Sequence, residues 1–278
     1  MTETIRKNIG FLSFGHRTPS PQSQTRSAAD TLLQSIDLAV AAEELGADGA
    51  YFRVHHFARQ LGSPFPLLAA VGARTKTIEI GTGVIDMRYE NPLYMAEDAG
   101  AADLISGGRL QLGVSRGSPE QVIDGWRYFG YQPAEGQTDA DLAREHTKDE
   151  RGEPFHVQLA HKIREFRVAW KEAGHEREPR VSVSRSIFAI TNDMDRAYFG
   201  GDGESRDQIG NIEADLRAIF GRSYAAEPER LVKQLAEDEA IAEADTLLLT
   251  VPNQLGVAYN AHVIESILTE VAPALGWR

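Results

Sequence analysis

The chain has no cysteine among its 278 residues. That excludes a disulfide framework, a thiolate nucleophile and a Cys-ligated zinc site. It also has no apolar run long enough to span a bilayer, and its opening "MTETIRKNIG" lacks the layout of a signal peptide. Basic residues are the minority, 29 against 41 acidic, for a net charge of −12. No basic run offers a footprint for nucleic acid or an anionic membrane, so neither partner is expected. GxGxxG, P-loop and HExxH patterns are all missing, which argues against a tightly held nicotinamide dinucleotide, an NTP or a metalloprotease zinc. No Pro/Gly/Ser-rich linker divides the sequence, so residues 1–278 are expected to form a single cytoplasmic domain.

What is present is alternation. "NIGFLSF" (Asn8 to Phe14) reads as a buried strand. "DTLLQSIDLAVAAEELG" follows as a helix, with Leu33, Ile36, Val40 and Leu45 as its apolar stripe and Gly46 as its end. "ADGAYFRV", "TIEIGTGVI" and "RLQLGVS" read as the next strands. Between them lie the helices "FPLLAAVGART" and "NPLYMAEDAGAADLISGG", the second opening on Pro92 and closing on Gly107 and Gly108. Farther on, "RVSVSRSIFAI" and "DTLLLTVP" are strands. "VQLAHKIREFRVAWKEAG", "RDQIGNIEADLRAIFG", "EPERLVKQLAEDEAIAEA" and "NAHVIESILTEVAPAL" read as helices. Strands and helices in this order imply a parallel sheet with right-handed crossovers, and the spacing suits a (β/α)8 TIM-barrel-type α/β fold. Only about six strands are clear, so the expected barrel is incomplete.

Three stretches could carry chemistry. In "YFRVHHF", His55 and His56 follow the second strand at its carboxyl end, where barrel active sites are built. Side chains on a strand alternate, so the pair suits one metal ion poorly, and no further ligands converge; no metal is expected. A neutral imidazole there can move protons near neutral pH. The bland alternative is a polar exit from a strand. In "GTGVIDM", Gly81 and Gly83 mark either a bulge, a close approach of another group, or a simple barrel bend. In "GGRLQLGVSRGS", Arg116 leaves the fourth strand toward the barrel mouth, as a phosphate anchor or as an ordinary surface arginine.

Together these stretches resemble the bacterial luciferase-like family of flavin-dependent monooxygenases and oxidoreductases. The similarity runs through "GFLSF", "ELGADGAYFRVHHF", "IEIGTGVIDMRYENPLYMAEDAGAADLISGGRLQLGVSRG" and "EAGHEREPRVSVSRSIFAI", and on into the tail. The resemblance implies FMN, or in some branches the deazaflavin F420, at the carboxyl ends of the strands. It implies an acid–base role for His55, with His56 beside it at the cofactor. It implies a non-prolyl cis peptide at Gly83–Val84 pressing on the isoalloxazine ring, and a grip on the cofactor phosphate by Arg116. Two departures stand out. Val54 occupies the place where the motif often has Glu. The interval around residues 132–156 is also short, as though two βα units between the fourth strand and the "EAGH" helix were missing.

The resemblance therefore implies an FMN-dependent monooxygenase-like oxidoreductase acting with reduced flavin and dioxygen on a small organic substrate. The reduced flavin is expected from a separate reductase. Trp126, Tyr128 and Phe129 are either a substrate wall or core packing. The alternatives are a flavin-binding protein without turnover and an F420-dependent oxidoreductase, the latter disfavoured by the net acidity. The Ala- and Gly-rich helix "AEDAGAADLIS" corresponds to helices that pair in the family, so a homodimer is expected.

Overall fold

The computed structural model describes residues 6–86, 89–115, 155–201, 206–213 and 216–278. Arg116, the aromatic trio Trp126, Tyr128 and Phe129, and nearly all of the short interval at 132–156 lie outside the described residues. The described chain forms two compact units, one of residues 11–148 with 251–262, the other of residues 1–10, 149–250 and 263–278.

The first unit carries the candidate site. Its strands are the second half of β1 (Asn8–Ser13), then β2 (Gly49–Phe52), β3 (Glu79–Thr82) and β5 (Leu110–Gln111). β2 pairs with β3 and β3 with β5, all parallel. Short β4 (Ile85–Asp86) and β6 (Val114–Ser115) make a second parallel pair. All four residues of β2 are buried, as expected of a parallel strand covered on both faces. Between the strands run α1 (Ala28–Glu44), α2 (Pro64–Arg74) and α3 (Pro92–Ser106). α3 begins where the sequence predicts, with the Asn91 side chain accepting from the Leu93 and Tyr94 amides and Pro92 in the first turn.

α1 turns a different face inward from the one its large residues suggest. Its buried positions are Thr31, Ser35, Leu38, Ala39 and Ala42, while Leu33 is 61% exposed. The buried set has the same helical spacing, rotated around the axis. Its small side chains let the helix backbone lie close to the core, where Phe11 and Phe52 meet edge to face at 5.8 Å. Close approach also governs Gly113, where a Cβ would come within 2.3 Å of the Thr82 carbonyl oxygen.

Two polar clamps tie this unit together away from the site. Glu43, in the last turn of α1, accepts at Oε1 from the amides of Lys76 (2.8 Å), Thr77 (2.6 Å) and Ile78 (3.0 Å) and from the Thr77 hydroxyl (3.0 Å). Burial by itself raises the Glu43 pKa, but these four donors outweigh it and bring it to about 2. Arg109, just before β5, spreads its guanidinium over the ends of α2 and α3.

The second unit has β7 (Ser182–Ala189) between β10 (Thr246–Val251) and β9 (Leu216–Ala226), all parallel, with β8 (Arg206–Glu213) antiparallel to β9. The hairpin corrects the sequence reading of "RDQIGNIEADLRAIFG" as a helix. Ile209, Ile212, Leu216 and Ile219 fit a helical spacing, yet the segment folds into β8 and the start of β9, paired with each other, and β9 continues onto β7 at Ser223–Ala226. Pairing with a strand that needs a partner overrides so weak a local pattern. Among the described residues β5 and β8 each pair with one strand only, so neither unit closes a barrel.

The helices of this unit are α4 (Phe155–Glu172), α5 (Asp193–Phe199), α6 (Pro228–Ala236), α7 (Glu239–Glu243) and α8, of which Val263–Ser266 lie here. The single helix expected from "EPERLVKQLAEDEAIAEA" is broken in two by Asp238, whose carboxylate caps α7 at the Ile241 amide (3.1 Å). That carboxylate also takes a bidentate pair from Arg185 on β7 (2.9 and 3.1 Å) and the Tyr224 hydroxyl (2.6 Å), and all three side chains are buried. Burial raises the Asp238 pKa, but Arg185 above all brings it below the ordinary value. At the other end of α7, the Lys7 ammonium donates to the carbonyls of Ile241 and Ala244.

Candidate active site

Parallel strands deliver their following residues to one edge of the sheet, and three of those exits meet in the first unit. The Arg53 amide donates to the Ser13 carbonyl at 2.8 Å, so β1 and β2 end in register. The Gly83 amide donates to the Phe52 carbonyl at 2.8 Å, which brings the end of β3 alongside. His55 and His56 thus follow one strand and Gly83 and Val84 its neighbour, and all four are half-buried. The Gly83–Val84 peptide bond is cis.

The two adjacent histidines part company. The His56 ring packs edge-on to Tyr89 at 5.3 Å and 88°. The His55 amide donates to the Leu61 carbonyl at 2.8 Å, which folds the chain after β2 back on itself. Phe57, with φ of 57°, makes the turn. Val54 points the other way, into an apolar cluster with Phe65, Ile85 and Ala99. At the end of β4, Asp86 is buried. The Glu90 carboxyl is raised first by burial and then by the charges of Asp86 and Asp98.

A third imidazole joins these groups. His16 leaves β1 three residues after the strand ends. Its amide donates to Asn253 Oδ1 at 3.0 Å, and its carbonyl accepts from Asn253 Nδ2 at 2.6 Å and from the Thr25 hydroxyl at 2.8 Å. Its ring lies parallel to Phe14, with centroids 5.7 Å apart and planes within 5°. Burial lowers its pKa, and the charge of His55 lowers it further. The sequence carried a signal for it: "GHR" follows the first strand at its carboxyl end, the same position that singled out His55 on the second.

Residues 9–145 match the family model described as luciferase-like monooxygenase. Over that span the chain is similar to the luciferase-like monooxygenase family. One relative in this family, 4-hydroxyprotoasukamycin monooxygenase of Streptomyces nodosus subsp. asukaensis, is 31% identical over 107 residues, covering 38% of this chain and 28% of its own. The chain spans about a third of the length of the first curated relatives it matches.

Among solved structures, monooxygenase RslO1 from Streptomyces bottropensis aligns with a TM-score of 0.67 at 15% identity, over 96% of this chain and 99% of its own. The oxygenating constituent of 3,6-diketocamphane monooxygenase from Pseudomonas putida, in complex with FMN, aligns with a TM-score of 0.62 at 18% identity, over 96% and 98%. An F420-dependent secondary alcohol dehydrogenase aligns with a TM-score of 0.56 at 14% identity, over 97% and 99%. At such identities the likeness is one of fold: this luciferase-like chain has the barrel-type α/β architecture of those enzymes, with its sheet unclosed among the described residues.

The described donors suit the ring end of a flavin. The half-buried Gly83–Val84 turn offers an apolar platform, and His55 follows the neighbouring strand. Arg116, expected from the sequence to hold the phosphate end, lies outside the described residues. No group of three or more His, Asp or Glu side chains that could hold a metal ion occurs among the described residues, and no described helix is long and apolar enough to cross a membrane.

Proposed function

We propose that this chain is an FMN-dependent oxidoreductase of the monooxygenase type, acting on a small organic substrate with reduced flavin supplied by a separate reductase. The observation that carries the reading is the convergence of His55 and the Gly83–Val84 turn at the carboxyl ends of adjacent parallel strands, inside the segment that matches the luciferase-like family. When bound, the flavin supplies the redox chemistry and the reaction with dioxygen.

The chain's own residues bind and manage protons. Gly83 and Val84 support one face of the ring, His55 gives or takes a proton at its edge, and His56 walls the same edge from its packing on Tyr89. Arg116 holds the phosphate, because its planar fork can donate two parallel bonds to it. Trp126, Tyr128 and Phe129 supply apolar surface for the substrate. The F420 alternative takes support from the fold it shares with an F420-dependent dehydrogenase. The non-catalytic alternative takes support from Val54, which leaves no carboxylate in the chain next to His55.

A homodimer belongs to the same proposal. α3 leaves Leu93, Tyr94, Leu104 and Ile105 exposed. Gly100 and Ala101 between them are exposed too and would let a second helix approach closely.

An FMN titration followed by flavin fluorescence, with Arg116→Ala beside the unmodified protein, tests the reading. Saturable binding that weakens at least tenfold in the variant supports it, and oxygen consumption with a reductase then separates enzyme from binder. Absence of binding by either oxidised or reduced FMN overturns it.

A further inference from the structure

The face that α1 buries opens with two hydroxyls, Thr31 and Ser35, where apolar side chains would be expected against a core. Both line a small space in the first unit, together with Ser13 at the end of β1, Gln34, Asn253 and, in the first turn of α8 (Val257–Ser266), Asn260. Ser13, Thr31, Ser35 and Asn260 are each no more than 4% exposed. The space admits the centre of a water-sized sphere over about 10 Å³, close to what one buried water needs.

Two oxygens of this lining have no hydrogen-bond partner among the described residues, Asn260 Oδ1 and Gln34 Oε1. The orientation of Asn260 is fixed. Its Nδ2 donates to the carbonyls of Gly256 at 2.8 Å and Pro252 at 3.2 Å, so the remaining end of the amide is an acceptor. Gln34 likewise commits Nε2 to the Gln24 carbonyl at 2.8 Å. The serines offer the reverse. Ser13 Oγ accepts from the Gly15 amide at 3.2 Å, which leaves its proton to donate, and Ser35 makes no side-chain hydrogen bond among the described residues.

That inventory selects the occupant. An anion has no proton to give to the two amide oxygens. A cation would be buried with no carboxylate in the lining to balance it. An apolar guest would leave both amide oxygens unpaired. Water donates twice and accepts twice, which answers both kinds of group. We propose that this space is a binding site for one water molecule, which bridges α1 and the segment 253–260. The same lining supports the loop after β1. Asn253 grips the His16 amide and carbonyl, and Thr25, also in the lining, donates to that carbonyl. The bound water is thus part of what holds this loop, and its presence does not depend on the flavoenzyme reading above.

A high-resolution crystal structure of the full chain tests the site directly. One solvent peak should stand within about 3.2 Å of Asn260 Oδ1 and of at least one further polar atom of the lining. Absence of a peak overturns the proposal. So does a peak that gives the anomalous signal of thallium after a soak in that monovalent cation.

In solution, magnetic relaxation dispersion of the solvent counts long-lived waters. Ser35→Ala keeps the space and both amide oxygens and should keep the count. Ser35→Val fills the space with methyl groups and should lower the count by about one. Equal counts in the two variants overturn the proposal; if Ser35→Val does not fold, the crystal structure of the unmodified chain still decides. Hydrogen exchange at the His16 amide should be at least about threefold faster in Ser35→Val than in Ser35→Ala. Equal rates overturn the water's part in holding the loop.

Discussion

Arg109 holds Thr75 by both of that residue's polar ends: Nη1 donates to the Thr75 hydroxyl at 2.9 Å, and Nη2 to its carbonyl at 2.9 Å. The same guanidinium reaches the carbonyls of Ser106 (2.6 Å), Ile78 (2.7 Å) and Gly72 (2.8 Å). These acceptors are loose carbonyls at the carboxyl ends of α2 and α3 and at the entry to β3. A positive charge is favoured there by both helix dipoles.

Arg109→Lys should therefore destabilise the protein although it keeps the charge. A lysine has three donors in a different geometry and strands at least two buried carbonyls, for a loss of about 2–3 kcal/mol. Urea unfolding measures this. A loss below about 0.5 kcal/mol would mean that charge, and not the fork, does the clamping.

Glu43 should give the fold an acid-sensitive contribution. Its folded pKa of about 2 lies below the ordinary 4.5, so the stabilisation is complete above pH 4.5 and fades as the pH falls toward 2. Glu43→Gln should cost about 1 kcal/mol at pH 7, discounted for its partial exposure. It should also flatten the pH dependence of stability between about pH 5 and pH 2. Thermal melts of both proteins across that range measure the effect.

Asp238 should be far less replaceable than its partner Tyr224. Asp238→Asn leaves the buried Arg185 charge without its counter-ion and should cost about 3–5 kcal/mol. Tyr224→Phe removes one hydrogen bond and should cost about 1–2 kcal/mol. Chemical denaturation of the two variants gives the ranking, and equal losses would contradict it.

Val54→Glu, which restores the residue common in the family motif, should not restore a carboxylate to the site. Position 54 packs with Phe65, Ile85 and Ala99. A glutamate there should cost about 3 kcal/mol or more at pH 7, and less at pH 5 as the buried carboxyl takes up a proton. Melting temperatures at the two pH values measure this. A Val54→Glu protein as stable as the parent at pH 7 would show that the side chain can swing out of the core.

The sequence announced those parts of the fold whose signals are local. α3 needs only Asn91, Pro92 and Gly107 to declare its ends, and the buried strand β2 needs only its apolar run. The β8–β9 hairpin was hidden because Ile209, Ile212, Leu216 and Ile219 satisfy a helical spacing as well as they serve a strand. Its pairing with β7 is a tertiary fact. The buried face of α1 was misread because size stood in for burial, whereas the face that packs is built from Thr31, Ser35 and Ala42. The position of His55 was legible from its place after the second strand. Adjacency in sequence singles out His55 and His56 and passes over His16, because neighbours across a parallel sheet come from different strands. Asn253 had no local signal at all.

The grip of Asn253 on His16 joins residues 237 positions apart. A nascent chain can pair β1 with β2 early, yet the loop bearing His16 stays unclamped until the segment after β10 has left the ribosome. Loop closure over such a span is slow compared with the local steps before it. The edge that carries the imidazoles is thus completed late in synthesis, and partly made chains lack the group arrangement on which the chemistry would depend.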